Sequence, residues 1–183
     1  VGTPGPRGAL SIGKVLTGEI NPSGRLVDTY VYDLEAHPAI VNFGDYDFDN
    51  IKRMSFLNYE ESIYVGYRYF ETYFAEDEEG YRKMVQYPFG YGLSYTDFQW
   101  EIVEESISDE EISIKVSVEN MGDVEGKDVV QVYYSAPYYE GGIEKSEIVL
   151  VEFAKTKLLK PGEKEVLTLS FPVRDMASFD VHG

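Results

Sequence analysis

Asp45, Asp47, Asp49 and Asn50 fall in a run of the form D-x-D-x-D-N. Such a concentration of side-chain oxygens suits a hard divalent cation such as calcium. A helix–loop–helix calcium site also needs Gly at the sixth loop position and Glu at the twelfth. Here Asn50 and Phe56 stand at those places, so the run reads as a solvated acidic loop. His37 and His182 are the two histidines. His37 precedes Pro38, and neither histidine is accompanied by a second histidine or a serine motif, which argues against a Ser-His-Asp triad and a His-based zinc site. With no cysteine in the chain, disulfides, thiolate zinc sites and cysteine nucleophiles are excluded.

Two further constellations have chemical content. Glu60 and Glu61 sit close in sequence to Arg68 within an aromatic stretch. They would serve either as substrate-facing groups or as an ion pair that fixes a domain interface, and the interface is favoured because Tyr and Arg are its usual anchors. Trp100, Tyr133-Tyr134 and Tyr138-Tyr139 would serve as a sugar-stacking platform or as ordinary sandwich packing, and packing is favoured. Adjacent strand residues face opposite ways, so the core receives only one of Tyr133 and Tyr134. Tyr138 and Tyr139, followed by Glu140-Gly141-Gly142, fall in a loop and are the better candidates for an exposed contact.

The elements that would carry these groups belong to a globular chain. The 183 residues are 43% hydrophobic and 27% charged, enough for one ordinary domain, or a small domain plus part of another. The formal net charge of -17 repels phosphate backbones and anionic lipid surfaces, which argues against nucleic-acid and membrane partners. No apolar run approaches the roughly 20 residues that span a bilayer, and no signal peptide is visible. The first residue is Val1, not Met, so the chain is expected to be an excised or processed segment.

The pattern changes character near Tyr95. Before it, Leu10, Ile12, Val15 and Leu16 predict one short helix within Gly8–Thr17, stopped by Gly18. Asn21-Pro22-Ser23-Gly24 is turn chemistry, Leu26–Tyr32 reads as a strand, and residues 33–58 look irregular. Tyr59–Phe74 carries Ile63, Val65, Tyr67 and Tyr69 on one parity, and YPFGYGLSY over Tyr87–Tyr95 is bent by Gly90 and Gly92. After it, strands are predicted at Phe98–Glu104, Ile112–Asn120, Asp128–Ser135, Ile148–Lys157 and Glu165–Pro172. Ile112, Ile114, Val116 and Val118 alternate with Ser113, Lys115, Ser117 and Glu119, which buries one face and wets the other. Met121-Gly122-Asp123 and Lys160-Pro161-Gly162-Glu163 punctuate the strands as turns. Short strands so spaced predict a sandwich of about seven strands. With Phe179-Asp180-Val181 as the start of one more, the set looks incomplete and leaves an open edge.

Four segments, taken together, resemble family 3 glycoside hydrolases, the beta-glucosidases in particular. Val15–Leu26 is similar to the family's VLxGxxNPSGRL. Tyr59–Phe70 is similar to YxEGIxVGYRYY, with Ser62 where the family usually has glycine. Tyr87–Phe98 is similar to FPFGYGLSYTxF. Val118–Gly122, Gly126–Tyr133 and Leu158–Glu163 resemble the family's fibronectin type III-like domain. The resemblance implies a retaining glycosidase with two carboxylates about 5–5.5 Å apart, a nucleophile and an acid/base. It places the nucleophilic Asp on the family's barrel domain and the acid/base Glu on its α/β domain, upstream of the NPSGRL segment, and neither motif occurs here. Although 33 Asp and Glu are present, no catalytic, substrate-binding or metal-binding residue is assigned, and no cofactor is implied.

The resulting expectation is a mainly β chain: an immunoglobulin/fibronectin type III-like β-sandwich preceded by the C-terminal remnant of an α/β sandwich domain. The boundaries are 1–95 for the remnant and 96–183 for the sandwich, which lacks its last strand or strands. In function the chain is expected to be a structural, non-catalytic fragment of a beta-glucosidase acting on terminal β-D-glucosides. Its partners would be the remaining catalytic domains of the parent, through which alone it meets a β-glucoside substrate. The alternative is a stand-alone fibronectin-type module that binds carbohydrate or protein.

Overall fold

The computed structural model describes residues 5–41, 59, 61–178 and 180. The chain forms two compact units. The first comprises Val1–Arg25, Gly92–Tyr133 and Leu150–Ala177; the second comprises Leu26–Tyr91, Tyr134–Val149 and Ser178–Gly183. The Asp45–Asn50 run, Phe56, Glu60, Phe179, Val181 and His182 lie outside the described residues.

In the first unit the period-two pattern builds a sandwich. Strands β3 (Phe98–Ile107), β4 (Glu111–Asn120) and β7 (Lys164–Pro172) form an antiparallel sheet in the order β3-β4-β7, and β5 (Val129–Tyr134) pairs with β6 (Val149–Lys155). The register sets Ile114 opposite Leu169 and Val116 opposite Leu167, so the apolar sets of β4 and β7 share one face. That face packs with β5 into a core of Val116, Val118, Val130, Leu159 and Leu169. Each such side chain contributes about 1.5–3 kcal/mol through removal from water. A bulge between Ile102 and Glu104 shifts the β3 register. It puts Ile107, beyond the bulge, on the same face as Ile102, although both remain exposed. All five predicted strands are present, with ends displaced by up to three residues.

The turn before β7 follows from its residues. Glu163 donates its backbone N–H to the Lys160 carbonyl at 2.8 Å, and Gly162 has φ +73. Pro at the second position and a left-handed Gly at the third make this a type II turn. The predicted helix is α1 (Gly5–Leu16), followed by Gly18 at φ +77.

The second unit departs more from expectation. The strand foreseen at Leu26–Tyr32 shrinks to β1 (Tyr30–Val31), which pairs antiparallel with β2 (Val85–Tyr87). Leu26 instead exchanges backbone bonds with the YPFGY segment: its N–H donates to the Tyr91 carbonyl and its carbonyl accepts from Gly90, both at 2.8 Å. The chain then bends at Val27-Asp28. Two short helices occupy 34–41, a 3₁₀ turn at Leu34–Ala36 and α2 (Pro38–Val41). The one-parity run at Ile63, Val65, Tyr67 and Tyr69 does not make a strand; Tyr67–Tyr73 is helix α3. Phe70, off that parity, is the residue this helix buries completely, in a core with Val31 and Val85. Helix α4 (Glu78–Met84) is capped by the Asp77 carboxylate, which accepts the Gly80 N–H at 2.9 Å. Its first turn carries Glu78 and Glu79 and its last Arg82 and Lys83, signs that match the helix dipole at both ends.

Candidate functional site

Asn21 and Arg25 of the NPSGRL segment are held through their side chains. Asn21 Oδ1 accepts the Tyr95 N–H at 2.9 Å and the Ser94 hydroxyl at 3.2 Å, and its amide donates to the Glu125 carbonyl at 3.0 Å. Arg25 Nη1 donates to the Gly92 carbonyl at 3.2 Å, while Nη2 forms an ion pair with Asp128 at the head of β5. The Asp128 carboxylate is nearly buried and also accepts from Trp100 Nε1 and from the Val129 N–H, each at 2.9 Å. Its own N–H donates to Thr156 Oγ1 at 3.0 Å. A buried carboxylate is stable only when its lone pairs are met by donors, and here an arginine, an indole and a backbone amide meet them. Gly92 is required by space: a Cβ there would stand 2.4 Å from the Gly24 carbonyl oxygen.

A second polar lock lies between β4 and the loops around it. Asn120 is fully buried. Its amide donates to the Val124 carbonyl at 2.8 Å and the Leu159 carbonyl at 2.9 Å, and its oxygen accepts from the Thr96 hydroxyl at 2.5 Å and the Gly122 N–H at 3.1 Å. These two networks account for Asn21, Arg25, Trp100, Asn120 and Asp128 as positioning residues.

The candidates named from sequence are dispersed. Trp100 is half exposed and spends its N–H on Asp128. Tyr133 and Tyr134 are both half-buried, so the pair does not split cleanly into core and surface. The Tyr133 hydroxyl bonds Gln131 at 3.1 Å. Tyr138 and Tyr139 are exposed in the second unit, as expected of a loop. Arg68 is half-buried and forms no ion pair with a described residue, and Glu60 is outside them. Within the second unit Tyr69 packs on Phe70 and Tyr73, Tyr87 on Tyr91, and Phe89 on Tyr67.

One cavity of about 390 Å³ opens in the second unit. Its wall includes Asp28, Thr29, Tyr30, His37, Glu61 and Tyr64. Burial raises the Tyr64 phenol above its usual value, and Glu144 and Tyr138 add to the effect. Glu61 and Tyr64 are set by a tight turn in which the Tyr64 N–H donates to the Glu61 carbonyl at 2.9 Å. Between them Ser62 has φ 51, a left-handed conformation, which is the physical reason glycine suits that position. Among the described residues no group of three His, Asp or Glu gathers to hold a metal ion. Glu163 has a displaced ionisation, but the hydrogen bond from Lys157 lowers it, whereas a general acid needs the opposite displacement. No helix among the described residues is long and apolar enough to cross a membrane.

Comparison with known proteins assigns the chain. Residues 128–183 match the model of the fibronectin type III-like domain. The chain is 41% identical over 194 residues to beta-glucosidase A of Butyrivibrio fibrisolvens, covering 98% of this chain and 22% of that protein. It is 42% identical over 179 residues to a beta-glucosidase of Ruminococcus albus, covering 98% and 17%. Among solved structures, beta-glucosidase 3B from Thermotoga neapolitana in complex with glycerol matches with a TM-score of 0.79 and 40% identity, covering 95% of this chain and 22% of that one. The chain thus spans about a fifth of the length of the relatives it matches. The ordered motifs, the β-sandwich and these near-complete alignments together liken the chain to one segment of the family 3 beta-glucosidases.

Proposed function

We propose that the chain is the non-catalytic supporting part of a retaining beta-glucosidase that hydrolyses terminal β-D-glucosides. Residues 1–95 would continue the parent's α/β sandwich domain and residues 96–183 would form its fibronectin type III-like domain. The observation that carries this reading is the alignment of 98% of the chain with beta-glucosidases of which it is only 17–22%. The surface agrees with it. Leu10, Leu16, Val27, Tyr32 and Tyr73 are all exposed, each by more than half. So many large apolar groups in water fit a segment that other parts of a larger protein cover. The partners are accordingly the catalytic domains of that parent, and a β-glucoside is reached only through them.

The test is hydrolysis of a chromogenic aryl β-glucoside. The isolated chain should show no turnover, while the full-length parent should. Turnover by the isolated chain would place a working carboxylate pair among its own residues and overturn the assignment.

A further inference from the structure

We propose that the cavity of the second unit is a binding site for a small neutral polyol of monosaccharide size. Its volume of about 390 Å³ lies within the 300–1,000 Å³ usual for small-molecule sites. The decisive group is Thr29. It is only 8% exposed, it lines the cavity, and its hydroxyl has no hydrogen-bond partner among the described residues. A buried hydroxyl left unpaired costs about 1–3 kcal/mol, so a ligand that supplies the partner recovers that loss on binding.

The rest of the wall selects the ligand's chemistry. Asp28 and Glu61 contribute carboxylate acceptors. His37 Nδ1 accepts the Ala39 N–H at 3.2 Å, which leaves the ring proton on Nε2 as a donor. Tyr64 adds a phenol, and Tyr30 an aromatic face. Among the described residues no lysine or arginine lines the cavity, so an anion would meet two carboxylates with no counter-charge from them. A bare metal ion lacks a ligand set, as no such cluster exists among the described residues. An alkylammonium only donates, and would leave the imidazole N–H unanswered. A hydroxyl both donates and accepts, and several on one small ring satisfy acceptors and donors together.

The inference is independent of the parent's glucosidase activity, because it concerns the isolated chain. The test is titration of the isotopically labelled full chain with D-glucose into the millimolar range, followed through backbone amide NMR shifts. Saturable shifts confined to Thr29, Val31, Val65 and Gly66 are expected. Thr29→Val keeps the shape and deletes the unpaired hydroxyl. It should weaken glucose about tenfold, the loss of one hydrogen bond, while its urea midpoint stays equal or rises. Glu61→Gln should also weaken binding and keeps the proposal testable if Thr29→Val misfolds. Absence of saturable shifts, or affinity unchanged in both variants, would overturn it. So would saturation by propylammonium with none by glucose.

Discussion

Asn120 offers the sharpest test of how the sandwich is pinned. Its side chain makes four hydrogen bonds while fully buried. Substitution by alanine does not strand all four partners equally. Val124 is 39% exposed, so its carbonyl can turn to water, and the Leu159 carbonyl keeps the bond from the Gly126 N–H at 3.0 Å. The Thr96 hydroxyl, on a residue only 6% exposed, has no second acceptor for its proton among the described residues. Each stranded group costs about 1–3 kcal/mol and each ordinary bond about 1 kcal/mol, so Asn120→Ala should destabilise by about 3–4 kcal/mol. Urea unfolding with linear extrapolation measures this, with the midpoint falling and the slope unchanged. A double-mutant cycle isolates the cause. Thr96→Val removes the stranded hydroxyl, so the double variant should be more stable than additivity predicts by about 1 kcal/mol or more. A loss below about 1 kcal/mol for Asn120→Ala, or strict additivity, would refute the reasoning.

Three other outcomes follow from particular residues. Arg25→Ala leaves the Asp128 carboxylate buried with only Trp100 and a backbone amide; breaking a buried pair costs about 3–5 kcal/mol, and the one-quarter exposure of Arg25 lowers the expectation to about 2–3, measurable by the same unfolding experiment. Ser62→Gly relieves a left-handed residue, at about 1–2 kcal/mol, against about 0.5–1 kcal/mol of added backbone entropy; the net should be a gain of a few tenths to 1 kcal/mol, seen as a higher thermal midpoint. Lys157 bonds Glu163, lowering the Glu163 carboxyl and raising the Lys157 ammonium. The contribution to stability is therefore present at neutral pH. It fades as pH falls through the lowered Glu163 value or rises through the raised Lys157 value. Both groups are at the surface, so unfolding of Glu163→Gln should differ slightly from wild type at neutral pH and merge with it in acid.

Legibility differed sharply between the two units. The sandwich was readable because a half-buried antiparallel strand writes its face into every second residue, and β4 does so over its whole length. The type II turn at Lys160–Glu163 was equally explicit, as Pro and Gly each satisfy one backbone requirement. Around Tyr67–Tyr73 the same period-two rule misled. With aromatic residues on both parities, periodicity carries no information, and the helix is chosen by the burial of Phe70 against Val31 and Val85. Helix α4 was readable but missed: Asp77 before Glu78-Glu79, then Arg82-Lys83, is a cap followed by charges of the right sign at each end.

The sites were less legible than the fold for a reason that Thr29 and Asp128 share. A side chain matters at a site through what does or does not face it, and those neighbours come from distant segments. Asp128 meets Arg25, which stands far back in the chain, and Trp100 from another strand. Neither pairing has a spacing that a sequence displays. Thr29 is marked by the absence of a partner among the described residues, a property with no sequence signature at all. Tyr67, Tyr69, Tyr73, Tyr81, Tyr87 and Tyr91, by contrast, pack on one another or on Phe side chains. Conspicuous composition therefore reported bulk packing, whereas binding capacity rests on a threonine whose identity is unremarkable and whose environment is not.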